Sequence, residues 1–311
     1  MDSPGGDRRL AGHPLGGDPS VCMNVNLSIV QPAGYVHSLI FLDVARALRH
    51  GLRRIGLNPI LSKNRLRSDC INWILGGHLG FQPALLDRYR CVMVNLEQIG
   101  HGGAALPREY PELLRSCPVL DYDPGNLSAY RIPGIPAGLF EFSHVPYLDP
   151  SALPIAERPI DLLFYGSVNE RRRRLFDCIE AAGVPVTHFD KPIYADERDH
   201  YIRNAKAVLN CSFYESRRFE QVRAFHCLSL GTPVVTELIE GQTMPRRYSE
   251  SLFFFDPKEP EAFFRDRFGS EQFFQESGQR LNHWRTHETT NDSTLRTFVE
   301  DVKASGLLQQ W

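Results

Sequence analysis

Short apolar runs alternate with helical patterns along this chain, twice over, and that alternation restricts the possible folds more than any other feature. The first series opens at Met23 to Val30, a strand pattern that ends in a Pro-Gly turn at Pro32 to Gly34. Leu39, Ile40, Leu42, Val44, Ala45, Leu48 and Leu52 then recur at three- and four-residue spacing, which predicts a helix closed by Gly56. LNPILS, CINWILGG, RCVMVNLEQ and CPVLDYD follow as strand patterns, each ending in a polar or glycine-rich turn. Runs of this kind read as parallel strands whose carboxyl ends carry a site.

The alternation stops at LDPSALPIAERP (Leu148 to Pro159), which carries Pro150, Pro154 and Pro159 and no periodicity, and resumes immediately after it. IDLLFYGS is a strand and glycine turn, ERRRRLFDCIEAAG a helix with a glycine stop, and VPVTHF a strand. ERDHYIRNAK is a helix and AVLNCSF a strand; a helix is then expected from Glu215 or Arg217, before the strand TPVVTE. Beyond about residue 258 the pattern is helical, with the last helix expected from about Ser293 to Leu308. The expected class is α/β, with two doubly wound Rossmann-like domains facing a cleft and a helical C-terminal tail. The expected boundaries are a disordered tail at 1–20, a first domain at 21–150, a linker at 151–159 and a second domain with the tail at 160–311.

Composition agrees with this organisation. A chain of 311 residues suits two domains of about 150 residues. A net charge of −2 argues against a broad nucleic-acid surface. Seven scattered cysteines form neither a disulfide framework nor a zinc pattern, and they fit a reducing compartment. No apolar run reaches the roughly 18 residues that span a bilayer. A cytoplasmic enzyme without integral membrane contact is the expectation.

Four strand-end turns hold the candidate chemistry. In FYGSVNERRRR, Gly166 permits a tight turn, Ser167 or Asn169 caps the next helix, and Arg171 is the arginine placed to reach a phosphate. That turn has neither the G-x-G-x-x-G nor the P-loop pattern, which weakens a dinucleotide oxidoreductase reading. The second turn, FYESRRFEQVR, packs Glu215, Arg217, Arg218, Glu220, Gln221 and Arg223 into nine residues ahead of an apolar helix. Glu220 and Arg223 form an i, i+3 pair, either a surface ion pair or a carboxylate set to accept the two hydroxyls of a ribose. His37, in QPAGYVHSL, is either a capping histidine or a general base or phosphate ligand. Glu97, His101, Asp121, Tyr122 and Asn126 follow two successive strands; Glu97 and Asp121 are the catalytic candidates among them. No H-E-x-x-H, C-x-x-C or G-x-S-x-G pattern occurs, and no metal or cofactor is expected.

With these residues in view, the carboxyl half resembles the nucleotide-sugar domain of GT-B glycosyltransferases, in a bacterial branch related to the glycosyl transferases group 1 set. The resemblance lies in IDLLFYGSVNERR, KAVLNCSFYES and RFEQVRAFHCLSLGTPVVTE, and in the amino half in QPAGYVHSLIFLDVARAL, VMVNLEQIG, LDYDPGN and HVPYLD. It implies that Ser167, Asn169 and Arg171 lie near a diphosphate, Tyr214 and Glu215 near the nucleotide or sugar, and Glu220 near the ribose. Arg223 would support that carboxylate or the phosphates, and His37 would lie near the donor phosphates or act as base. The larger family has two glutamates eight positions apart; here those places fall on Arg218 and His226, and Glu220 matches the smaller branch.

The expected function is therefore metal-independent transfer of a sugar from a nucleotide-sugar to an acceptor hydroxyl on a glycan, natural product, lipid or protein. The alternative is a non-catalytic nucleotide- or sugar-binding protein of the same fold, a reading that His226 in place of a glutamate favours.

Overall fold

A computed structural model describes residues 24–242, 244–286 and 291–307. The expected tail at 1–20, Cys22, Met23 and Leu308 lie outside the described residues. The first sheet is built from β1 (Asn24–Ile29), followed by α1 (Ile40–Arg54), β2 (Asn58–Lys63), β3 (Ile71–Leu75) and β4 (Cys91–Asn95). It continues through α2 (Glu109–Arg115), β5 (Val119–Asp121), α3 (Pro124–Tyr130) and β6 (Ala137–Leu139). All six strands are parallel, in the order β2-β1-β3-β4-β5-β6. The strands β3 and β4 are buried at every position, as continuous apolar runs require when helices cover both faces.

The second sheet begins with β7 (Ile160–Leu163), α4 (Glu170–Ala181), β8 (Val186–Thr187), α5 (Ala195–Arg203) and β9 (Ala205–Asn210). It is completed by α6 (Gln221–Ser229), β10 (Val234–Glu237), α7 (Arg246–Ser251) and β11 (Phe253–Phe255). Its five strands are also parallel, in the order β11-β10-β9-β7-β8, so each sheet reverses direction once, at β1/β3 and at β7/β9. Three helices end the described chain: α8 (Pro260–Asp266), α9 (Glu271–Thr286) and α10 (Asn291–Ala304).

The last helix returns to the first sheet. Leu295, Phe298, Val299 and Val302 are buried there, and Phe298 meets Trp73 edge to face at 5.8 Å. Gly138 on β6 makes room for it, because a Cβ at that position would come within 2.5 Å of the Phe298 ring. The two halves also share core between the sheets: Phe142 stacks on Phe225 of α6 at 4.6 Å and 9°. Stacked rings of this kind add about 1 kcal/mol to their area burial. Arg158, in the proline-bearing crossing, is buried and donates to the carbonyls of Ala205 and Gly231 and to the Thr232 hydroxyl at 2.9 to 3.0 Å.

One expected element starts late. The helix predicted from Glu215 or Arg217 begins only at Gln221. Residues 213–220 are instead drawn out by the first half of the molecule: the Ser216 amide donates to Gly102 O at 2.8 Å and its hydroxyl to Gln98 at 2.5 Å. The Arg218 guanidinium donates to Ile99 O at 2.7 Å and also to Asn126. Arg217 sits at φ +47° within this loop, a conformation no helix accommodates.

Candidate active site

The carboxyl ends of both sheets open onto one cleft of about 670 Å³, formed where each strand order reverses. Its second-sheet wall starts at the turn after β7. Gly166 has φ +124°, and a Cβ there would sit 3.2 Å from an Arg223 nitrogen, so glycine is needed for both reasons. Asn169 then caps α4, accepting from the Arg172 amide at 3.0 Å, while its own amide group donates to Phe213 O at 3.0 Å. The cap therefore ties the turn after β7 to the turn after β9.

Two arginines and one glutamate form the centre of this wall. Arg172 Nη1 donates to Ser167 O at 2.8 Å, and Nη2 donates to Cys211 O at 2.5 Å and to Glu220 Oε1 at 3.0 Å. Arg223 Nη1 donates to Glu220 Oε2 at 2.5 Å and to Asn210 Oδ1 at 2.8 Å. Both guanidinium groups lie about 5 Å from the Phe164 ring centre, which flattens them against an apolar floor. Glu220 precedes the first residue of α6 and so joins two cations at a helix start. The loop after β8 completes the wall with Lys191 and Tyr194, and Arg173 and Tyr214 line it as well.

The opposite wall has different chemistry. Tyr35, Ile40, Phe41, Leu79, Leu96 and Tyr122 give it a largely apolar surface. Glu97 and His78 meet on it at 3.5 Å. Burial, together with the like charge of Glu220, pushes the Glu97 carboxyl up to about 7, and burial pushes the His78 imidazole down to about 4. Near neutral pH the histidine is uncharged and Glu97 is poised between its two protonation states. His37 is exposed at the mouth, where its Nδ1 lies 2.7 Å from the Tyr194 hydroxyl across the cleft.

At the base of the cleft, a largely buried ionic cluster joins the two walls. Arg198 on α5 donates to Asp43 on α1 at 2.6 Å and to Asp199 at 2.7 Å. His226 Nε2 lies 2.7 Å from Asp199 and 2.8 Å from Arg198, which explains why a titratable residue stands in the buried face of α6. Burial opposes ionisation of Asp199, yet the His226 and Arg198 contacts hold its carboxyl down at about 2.

A scan against family models finds no match, and a search of curated proteins finds none. Solved structures do match. AviGT4, described as a glycosyltransferase involved in avilamycin A biosynthesis, superposes with a TM-score of 0.55 at 13% identity, over 93% of this chain and 99% of its own. WaaG, a glycosyltransferase involved in lipopolysaccharide biosynthesis, gives 0.55 at 12% identity, over 93% and 100%. TarM gives 0.52 at 11% identity over 76% of this chain, which spans 55% of TarM. The fold is GT-B.

Within the GT-B frame, the expected site residues separate into three groups. Gly166, Ser167, Tyr214, Glu220 and Arg223 come together on the second-sheet wall, and His37 and Glu97 face them. Asn169 is a cap, and Glu215 is exposed away from the cleft. Two expected roles are corrected. Arg171 points away, donating to Ser212 O at 3.0 Å and to the buried Glu237 at 2.5 Å, and its neighbour Arg172 is the one that lines the cleft. Asp121 is 1% exposed, and its two oxygens accept from the Asp123 amide, Asn95, Asn126 and Tyr130 at 2.8 to 2.9 Å, so it is a structural carboxylate. His101 is exposed, and Asn126 is buried in the same network as Asp121.

Asp121 and Asp123 also spell a D-x-D pair in the sequence. Asp123 caps α3 and lies 3.8 Å from Arg218, so neither carboxylate faces the cleft. Among the described residues no group of three or more His, Cys, Asp or Glu side chains is arranged to hold a metal ion. Arg172 was legible in principle. Arg172, Leu175, Phe176 and Ile179 are the buried positions of α4, a core-facing stripe whose first member is an arginine. Tyr194, Lys191 and His78 carry no local signal.

Proposed function

We propose that the chain transfers a glycosyl group from a nucleotide-sugar, bound on the second-sheet wall, to an acceptor hydroxyl on the first-sheet wall. The observation that carries this reading is the division of charge across one cleft. Five cations, Arg172, Arg173, Lys191, Arg198 and Arg223, outnumber the carboxylates Asp190 and Glu220 on the second-sheet side, while the first-sheet side carries Asp43 and Glu97 and no lysine or arginine. A diphosphate with two or more negative charges is stabilised on the former and repelled on the latter. A TarM structure from S. aureus, with a TM-score of 0.51, is described as a complex with UDP, α-GlcNAc-glycerol and fondaparinux, which supports a nucleotide donor for this fold.

In the proposed reaction the acceptor oxygen attacks the anomeric carbon. The bond from that carbon to the diphosphate breaks, and its electron pair leaves with the nucleoside diphosphate. Ionised Glu97 accepts the hydroxyl proton, a role for which a carboxyl near 7 is suited. Arg172 and Arg223 stabilise the departing diphosphate without a metal ion. Glu220 orients both arginines and offers its remaining acceptor capacity to the ribose. His37 and Tyr194 close the mouth, and exclusion of water limits hydrolysis of the donor. The proposed setting is a reducing, cytoplasmic one, supported by unpaired Cys70, Cys91, Cys117, Cys178, Cys211 and Cys227. No helix among the described residues is long and apolar enough to cross a membrane.

Calorimetric titration with UDP, GDP, TDP and CMP tests the reading. One nucleotide should bind, and its sugar conjugate should be turned over. Binding without any turnover would support a non-catalytic binding protein instead.

A further inference from the structure

We infer that the acceptor is an uncharged molecule with an apolar, ring-bearing body and one reactive hydroxyl, rather than a glycan or an anionic sugar. The inference rests on the transferase reading above and adds the chemical class of the second substrate. Three independent features of the first-sheet wall point to it.

The first is its polar capacity. A glycan entering a closed cleft exchanges many hydroxyl–water bonds for protein ones, and each hydroxyl left unpaired costs free energy. The polar groups on this wall are few and mostly engaged. Asp43 is held by Arg198, and Gln98 is 4% exposed and tied to Ser216 and to Arg218 O. What remains for an acceptor is the Glu97–His78 pair, the Tyr35 and Tyr122 hydroxyls and the rim histidine His37, few groups against the many hydroxyls of a glycan.

The second is charge. With Asp43 and Glu97 and no lysine or arginine on its own side, an acceptor phosphate or carboxylate would meet repulsion where its hydroxyl must react.

The third is an apolar surface that continues out of the cleft. Among the described residues ten large hydrophobics are exposed, and four of them, Tyr35, Val36, Leu39 and Ile40, fall in one six-residue segment at 38 to 50% exposure. Tyr35 and Ile40 line the cleft, and the largely buried rings of Phe41 and Tyr122, each 5% exposed, form apolar floor farther in, so a ring-bearing acceptor meets an aromatic partner at Tyr35 and apolar surface beyond it. The bound molecule itself is the occupant that covers this face: its hydroxyl reaches Glu97 and its ring system lies along Tyr35, Ile40 and Phe41.

The test uses the full chain with the nucleotide-sugar that the titration selects, and with 2-naphthol, cellobiose and glucose 6-phosphate as acceptors. The expected result is a 2-naphthyl glycoside formed with kcat/KM at least about 30-fold above the other two. Ile40→Lys should raise the 2-naphthol KM at least about tenfold and move the donor KM less than about twofold. Ile40 is 46% exposed, so the substitution is tolerated by the fold. Donor turnover with cellobiose or glucose 6-phosphate preferred, or donor turnover with no transfer to 2-naphthol, would overturn the inference and leave the transferase reading standing. Failure of every nucleotide to bind would overturn both.

Discussion

The two walls of the cleft come from parallel sheets that share one strand order over five strands, yet they are built by opposite means. On the second-sheet wall, charge is concentrated and each charged group is held by several partners: Arg172 by Ser167, Cys211 and Glu220, and Arg223 by Glu220, Asn210 and Tyr165. On the first-sheet wall one carboxyl is left almost alone among apolar groups, and burial shifts its ionisation. Preorganised cations suit a ligand that brings its own charge, and a desolvated carboxyl suits proton transfer to or from a neutral one.

The sharpest way to break this comparison is within α4. Arg172→Ala should weaken nucleotide binding at least about 100-fold, because it removes a cation and leaves Glu220 with one partner fewer in a poorly solvated site. Arg171→Ala should leave affinity within about threefold while lowering stability, since Glu237 is 2% exposed and loses its ion pair. Calorimetry and urea unfolding on both variants decide the matter; equal losses of affinity would merge the two arginines into one role.

Glu97→Gln comes next. The wild-type rate should fall as pH drops through about 7, because a carboxyl raised to that value is protonated below it and accepts no proton. The variant should lose at least about 100-fold in kcat and lose that inflection. An unchanged pH profile would remove Glu97 from the chemistry.

A smaller effect is expected on the other wall at Glu220. Glu220→Gln keeps the shape but weakens the hold on Arg172 and Arg223, and nucleotide affinity should fall about tenfold by calorimetry. Unchanged affinity would leave Glu220 a purely structural residue.

Smallest of the four is the tie at the base of the cleft. Asp43→Asn removes one of the two carboxylates on Arg198, which keeps Asp199. A stability loss of about 1 kcal/mol and a several-fold rise in acceptor KM are expected, with a more open shape in small-angle scattering. A scattering profile and KM identical to wild type would show that this pair does not hold the walls together.

Much of the second-sheet wall was legible in the sequence because its features are local. A glycine turn followed by a capping asparagine and a charged helix start lies within seven residues, from Gly166 to Arg172, and Glu220 and Arg223 are one helical turn apart. The choice between Arg171 and Arg172 was legible too, through the buried stripe, but it requires reading an arginine as a core residue. Asp121 illustrates the opposite case. A strand-end carboxylate beside asparagine and glycine looks the same whether it faces a ligand or three buried donors, and only packing separates the two. His226 likewise has no local explanation, since Asp43 and Asp199 reach it from helices distant in sequence.

The sequence by itself determined the two alternating series, and with them two parallel sheets with helices on both faces, because apolar periodicity and glycine and proline turns act over a few residues. Tertiary structure alone decided that α10 crosses back to the first sheet, that the loop at 213–220 is held open by Gly102, Gln98 and Asn126, and that one wall carries the cations while the other is apolar. Those outcomes depend on contacts between residues far apart in the chain, 118 positions for Gln98 and Ser216 and farther still for Trp73 and Phe298. The free energy of such contacts comes from burial and shared hydrogen bonds, which no short window of sequence contains.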